Sequence, residues 1–253
     1  VVVPPRRTQR AIAAVLGALD DKIAVNERIA TTYERLFRLR FDQLRIDVEP
    51  TSTNAMPLAD LVELNPVLPP PKTSDAVYVD MAALPTASAR IREWSRREPK
   101  SGTRFQNGDT VMARITPCLE NGKTAFIDFM SDGEIGIGST EFIVLRAREG
   151  VPVHLPYFLA RSARFRGYAI QNMVGSSGRQ RVSAGALAQF TVARPDPRDL
   201  REFGESAAVA FAHMKSLDTE SRYLKELRDT LLPGLMSGAI RVRDAEKVVE
   251  AAT

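Results

Sequence analysis

The sequence is poor in the residues that build metal and redox sites: among 253 residues there are one cysteine and two histidines. A lone Cys118 excludes an internal disulfide and a thiolate-rich zinc site, and it points to a reducing cytoplasm. His154 and His213 sit in different segments with no second ligand-type neighbour, so neither is expected to hold a metal or move a proton. No apolar run is long enough to span a bilayer and no signal-peptide pattern is seen, so no membrane is expected among the partners. Nucleotide chemistry is missing too. "TPCLENGKTAF" (116–126) ends in Gly122–Lys123–Thr124, like a phosphate-cradling loop. Five residues before Gly122, where that loop needs a glycine, stands Pro117, which has no N–H. "GIGSTE" lacks the third glycine of a dinucleotide turn. In "LNPVLPPPK" Val67 follows Pro66 where an amino-methyltransferase motif needs an aromatic, and no nuclease-like carboxylate cluster occurs. The expectation is a protein without cofactor or catalysis.

What is present is ordinary for a globular chain: 44% hydrophobic, 26% charged and a formal charge of +4, which permits a nucleic-acid partner without requiring one. Two segments carry a coiled-coil stripe. In the first, Ile12, Leu16, Leu19, Ile23, Asn26, Ala30, Tyr33 and Phe37 recur at steps of four and three. In the second, Leu200, Phe203, Ala207, Ala210, Met214, Leu217, Ser221, Leu224, Arg228 and Leu231 do the same. Each segment predicts a helix of roughly 33 residues, about 50 Å long. Stripes this narrow must pair with each other or with a partner. Asn26, the one polar break in the first stripe, is read as a register-fixing residue. Pro233–Gly234 is expected to stop the second helix.

The helices look like two copies of one element, because a shift of 195 residues places Asn26 on Ser221, Ile29 on Leu224 and Leu36 on Leu231. Each follows a valine run into proline: "VVVPP" at 1–5 and "FTVARPDP" at 190–197. "VVVPP" at the start reads as the exit from a globular domain that the chain does not contain.

The middle differs. "AVYVDM" (76–81), "TVMARI" (110–115), "TAFIDF" (124–129) and "EFIVLRA" (141–147) read as strands, separated by Asn-, Gly- and Asp-rich turns. One amphipathic helix is expected over 155–172, and Ser183 is placed to cap a short helix through Gln189. The fold expected is α+β: a mixed globular domain plus two long helices forming an antiparallel coiled-coil-like spacer. The divisions are 1–44, 45–196 and 197–253.

This order of parts resembles the specificity subunits of type I restriction-modification systems, which alternate target-recognition domains with long helices. The first 44 residues resemble the spacer helix. "LKELRDTLLPGLMSGAIRV" (224–242) resembles the terminal region, with a Leu-Leu-Pro stop and Ser-Gly before a last short strand. "NGDTVMARITPCLENGKTAFID" and "GIGSTEFIVLRAR" resemble strand signatures of a recognition domain. Family members of full size have two such domains and this chain has one, which leaves the C-terminal half of a larger subunit or a half-sized subunit that pairs with itself through the helices.

The resemblance implies double-stranded DNA as ligand, with DNA methyltransferase (modification) subunits and an endonuclease/translocase subunit as partners. It sends the basic segments to DNA. Residues 90–104 carry six basic residues against two acids, and 161–181 carry five arginines and no acid. From these come Arg97, Lys100, Arg104, Arg161 and Arg164, whose bland alternative is a solvated face. "GSSGRQR" (175–181) supplies Ser176, Ser177, Arg179, Gln180 and Arg181 on a flexible loop, with groups able to read base edges; a plain exposed hinge is the rival. Asn121 and Lys123, on an expected tight turn, are aimed at a phosphate or base, or form a hairpin turn only. Ser139, Thr140 and Glu141 complete the set, Glu141 as an acceptor from cytosine. Two other readings stay open: the recognition module of a fused restriction–modification enzyme, and a coiled-coil adaptor whose insert binds protein.

Overall fold

Helix α1 (Arg6–Gln43) starts where Pro4 and Pro5 leave their carbonyls to the first turn, bonded by the Gln9 side chain and amide. The computed structural model describes residues 3–252. Val1 and Val2 of the "VVVPP" run lie outside the described residues. Short strands follow: β1 (Ala55–Pro57), β2 (Val62–Leu64) after a 3-10 turn, β3 (Ala76–Val79), β4 (Ser95–Arg97), β5 (Thr103–Phe105), β6 (Thr110–Ala113), β7 (Thr124–Phe126), β8 (Gly136–Gly138) and β9 (Phe142–Ala147). Helices α2 (Leu155–Ala160), α3 (Ala163–Gln171) and α4 (Ala184–Leu187) lead to β10 (Thr191–Ala193), α5 (Pro197–Ser237) and α6 (Val242–Ala252). The fold is α+β, and the chain divides into two units, 1–33 with 210–253 and 34–209. The division falls inside both long helices.

In the first unit α1 and α5 run antiparallel, since partners climb one helix as they descend the other. Asp20 pairs with Arg228, Asn26 with Ser221 and Tyr33 with His213. Ile12, Val15, Leu19, Ile23, Leu224, Leu231 and Leu235 form the apolar seam. Asn26 Nδ2 lies inside it, donating to Glu220 Oε2 at 2.7 Å and Ser221 Oγ at 3.3 Å.

Two expectations about the C-terminal end are corrected. Pro233 does not stop α5, which continues to Ser237. Proline forfeits one hydrogen bond near the end of a helix, while Leu231 and Leu235 on either side of it are both buried in the seam and hold the backbone helical. The stop is Gly238 at φ +77°, in the left-handed region that favours glycine. The segment after it is not a short strand but α6, whose Val242, Ala245, Val249 and Ala252 fall at helical spacing and close over the seam.

In the second unit one antiparallel sheet has the order β2-β9-β6-β7, and a mixed sheet has the order β4-β3-β8-β5 with β3 and β8 parallel. Their apolar faces meet through Val77, Val79, Phe105, Val111, Ile127, Phe142 and Val144. The buried Asp109 carboxylate takes Arg146 as a fork at 2.7 and 2.8 Å, fixing the β5–β6 turn to β9. Phe37, Phe41, Phe158 and Phe203 pack ring on ring, joining this unit's parts of α1 and α5 to α2.

The single helix expected over 155–172 is two. Ser162 adopts an extended conformation and donates its hydroxyl to the Leu159 carbonyl at 2.7 Å. The N-terminus of α3 is capped from far away in sequence: Asp47 accepts from the Arg164 and Phe165 amides at 3.0 and 3.1 Å. Ser183 does cap α4, accepting from the Ala186 amide.

Glu34, half-buried on α1, accepts from the Ala89 amide at 2.7 Å and the Tyr157 hydroxyl at 3.4 Å. Burial pushes its carboxyl above the usual range, outweighing the amide bond and the charges of Arg161 and Arg90. A carboxyl so raised favours the folded state most when protonated, and that contribution fades as pH rises through the folded value. Glu34→Gln keeps an acceptor for Ala89 without a buried charge. It should melt above the wild type at about pH 8, and the difference should shrink towards about pH 5, as thermal melts across that range would read.

Candidate nucleic-acid interface

Three loops distant in sequence are stitched into one surface. The segment 114–123 between β6 and β7 is bonded to 174–182, through the Thr116 amide on the Gln180 carbonyl and the Val182 amide on the Arg114 carbonyl. It is bonded to the β8–β9 turn through the Arg114 amide on the Glu141 carbonyl. Gly102, at the β4–β5 turn, brings a fourth segment alongside: a Cβ there would stand 2.2 Å from the Gly138 carbonyl oxygen. Helix α3 adjoins the same loops, because a Cβ on Gly122 would lie 2.9 Å from Arg166 Nη1.

Residues 175–181 form a hydrogen-bonded turn. Val174 and Arg181 exchange both backbone hydrogen bonds, at 3.0 and 2.9 Å, and the Arg179 amide closes a turn on the Ser176 carbonyl. Gly175, at φ +134°, sits where a Cβ would meet the Arg179 carbonyl at 2.9 Å, so a defined turn, not freedom, demands the glycine. Ser176, Ser177 and Arg179 are exposed on its tip and Gln180 is half-buried.

Where the basic side chains go divides the residues expected to meet DNA. Lys123 does not project from a tight hairpin: ten residues separate β6 from β7, and its ammonium donates to the Met81 carbonyl at 2.7 Å. Asn121 is exposed on that connection. Arg161 donates to the Gly122 and Thr86 carbonyls. Arg164 is held by Glu49 at 2.7 Å and the Thr191 carbonyl, above the Phe190 ring. Arg181 gives Nε and Nη2 to Glu141 and Nη1 to the Arg179 carbonyl. These four cations pin loops to one another, and their charged ends are committed to protein acceptors. Arg104 likewise donates to the Leu68 carbonyl, Lys100 pairs with Glu98, and Arg97 lies 3.1 Å over the Tyr78 ring. Ser139 accepts from the Glu141 amide, and Thr140 is exposed beside it.

Two residues of this surface escape a reading from sequence. Arg114 looks like the end of a strand, and its Nε is buried without a hydrogen-bond partner. Arg166 reads as one basic residue on a helix face. With Arg179 they are the arginines of these loops whose guanidinium groups make neither a hydrogen bond nor an ion pair among the described residues. Glu141 is held below the usual carboxylate range by the Arg181 hydrogen bonds, which outweigh the opposing effect of burial, with smaller help from the charges of Arg181 and Arg114. Among the described residues no group of histidine, cysteine and carboxylate side chains could hold a metal, and no helix is long and apolar enough to cross a membrane.

By sequence and by fold the chain is related to the specificity subunits of type I restriction-modification systems. It is 25% identical over 227 residues to the Type I restriction enzyme EcoEI specificity subunit of Escherichia coli, 85% of this chain and 37% of that one. It is 32% identical over 136 residues to the EcoAI specificity subunit of the same species, 49% of this chain and 22% of that one. The chain thus spans well under half the length of these relatives. The Type-I restriction-modification S subunit of M. genitalium has the same fold, with a TM-score of 0.55 over 91% of this chain and 61% of that one, at 14% identity. A stretch of 138 residues is also 30% identical to an aspartate/glutamate leucyltransferase of Rhodopseudomonas palustris (strain HaA2), half of each chain. No protein-family model matches.

The division of the arginines is testable on stability alone. Arg164→Ala removes a half-buried fork from Glu49, Thr191 and Phe190 and should lower unfolding free energy by about 1–3 kcal/mol. Arg179→Ala, with an exposed side chain, should change it by less than about 0.5 kcal/mol. Denaturant titration of both variants checks the contrast.

Proposed function

We propose that the chain is a sequence-specific double-stranded DNA recognition subunit of a type I restriction-modification complex. The insert reads one half of a bipartite target, and the paired helices act as spacer and dock the modification and endonuclease/translocase subunits, which perform the chemistry. The chain itself is non-catalytic and works in the cytoplasm. The observation that carries this is the convergence of Arg114, Arg166 and Arg179, none of them ion-paired, on loops stitched into one surface. Arginines of this kind serve DNA in two ways. Phosphate contacts position the protein and give strong salt dependence, while base-edge contacts specify the sequence.

Selection of duplexes from a randomised pool by the purified chain, alone and with a co-expressed methyltransferase subunit, tests the reading. A single enriched motif is expected; enrichment of nothing would remove it. With the enriched duplex in hand, Arg166→Ala should lower affinity for cognate and scrambled DNA alike and flatten the log–log salt slope by about 1, the signature of one phosphate contact. Arg179→Ala should weaken the cognate duplex more than the scrambled one.

A further inference from the structure

Among the arginines of this surface stands a carboxylate, Glu141, that is packed into the loops, whereas Glu120 on the 114–123 segment is exposed. Glu141 is three-quarters buried by its neighbours, with 25% of its side chain exposed. Its backbone is fixed at both ends: its amide donates to Ser139 Oγ at 3.1 Å and its carbonyl accepts from the Arg114 amide at 3.0 Å. From that mount the carboxylate takes Arg181 Nε at 2.8 and 2.9 Å and Nη2 at 2.7 Å. Arg181 in turn donates Nη1 to the Arg179 carbonyl at 3.1 Å. All three nitrogens of the Arg181 guanidinium are therefore engaged within the protein, which leaves one N–H on each of Nη1 and Nη2.

We propose that Glu141 is a positioning residue for sequence discrimination: it clamps Arg181, and through Arg181 the backbone at Arg179, so that Arg179 meets base edges from a fixed turn with Arg114 beside it. This deepens the DNA-recognition reading and rests on it. An exposed ion pair contributes little to stability, and a negative charge facing a phosphate backbone opposes binding. A carboxylate on such a surface therefore weakens general attraction to DNA and earns its place through orientation. The chain of contacts is built for that, since Glu141 belongs to the β8–β9 turn, Arg181 to the closing pair of the 174–181 hairpin, and Arg179 to its tip.

The clamp has a signature that a plain surface pair, a cytosine-reading Glu141 or a loss of folding would not share. The probes are the duplex that the wild-type chain enriches from a randomised pool and a scrambled duplex of equal length. Glu141→Ala should weaken the enriched duplex about tenfold, the size of one good base contact, and bind the scrambled duplex as tightly as the wild type or more tightly. Glu141→Gln, which keeps one acceptor, should fall between. Arg181→Ala should lose discrimination to the same extent, and the double variant should be no worse than either single one, since both act through one contact. Equal losses on both duplexes, unchanged discrimination, or additive effects in the double variant would overturn the clamp. So would a changed preference confined to one cytosine position, which would make Glu141 itself the reader. If the wild-type chain enriches no duplex, the recognition reading fails and takes the clamp with it; if the wild type discriminates and the variants do too, the clamp alone fails.

Discussion

Two apolar stripes laid antiparallel can slide past one another by whole turns with little loss of buried area, and a single buried amide removes that freedom. Asn26 needs partners inside the seam, and only one register offers it Glu220 and Ser221. The two stripes are related by a shift of 195 residues, which is also the separation of Asn26 from Ser221. The same position of each copy therefore faces itself, and the paired helices have a local two-fold there. Repeat and register are one fact: a duplicated element packed against its own copy must meet itself at the midpoint, and the midpoint is the polar position. The ion pair of Asp20 with Arg228 and the ring contact of Tyr33 with His213 follow on either side of it.

Within the insert the same logic applies to loops, with cations in place of an amide. Lys123 reaching the Met81 carbonyl, Arg161 reaching Gly122 and Thr86, and Arg164 on Glu49 and Thr191 each tie together segments dozens of residues apart. Small sheets of three- and four-residue strands leave long connections with many carbonyls to satisfy. Long basic side chains reach them with an apolar stem and a charged end. A basic composition in such a domain is therefore partly structural. The charge available to a polyanion is what remains after the carbonyls and carboxylates have taken theirs.

That distinction marks where the sequence stops being informative. The two long helices and four of the ten strands among the described residues were legible, because Ile12 to Phe37 repeats at helical spacing and "TVMARI" or "EFIVLRA" at strand texture, and packing enforced both patterns. The break at Ser162 was not, since the cap of α3 comes from Asp47 across the fold. Nor was the passage of α5 through Pro233, where buried leucines outweigh a lost hydrogen bond, or the helix α6, whose apolar face needed a seam to cover. At the surface the loops were legible as segments: 121–123, 139–141 and 175–181 all belong to it. Which side chains on them are available was not, because charge counting treats Arg181 and Arg179 alike, while Glu141, forty residues away, separates them.

Discrimination is a ratio of affinities, and a surface can raise it from either side. Adding arginines strengthens every complex, cognate or not, through the phosphates. Holding the backbone beneath an arginine favours the complex whose base edges match the direction it sets, because a free backbone must give up on the order of 1–2 kcal/mol per residue to be fixed there. On the proposed reading, a hairpin closed by Val174 and Arg181, a left-handed turn that demands Gly175, and a carboxylate gripping the arginine behind the tip all act on that second side. The carboxylate also lowers the field felt by any phosphate nearby, which weakens the unmatched complex most, since that complex has little besides phosphates. A clamping acid among several arginines would thus move both terms of the ratio in favour of discrimination, which a further arginine could not do.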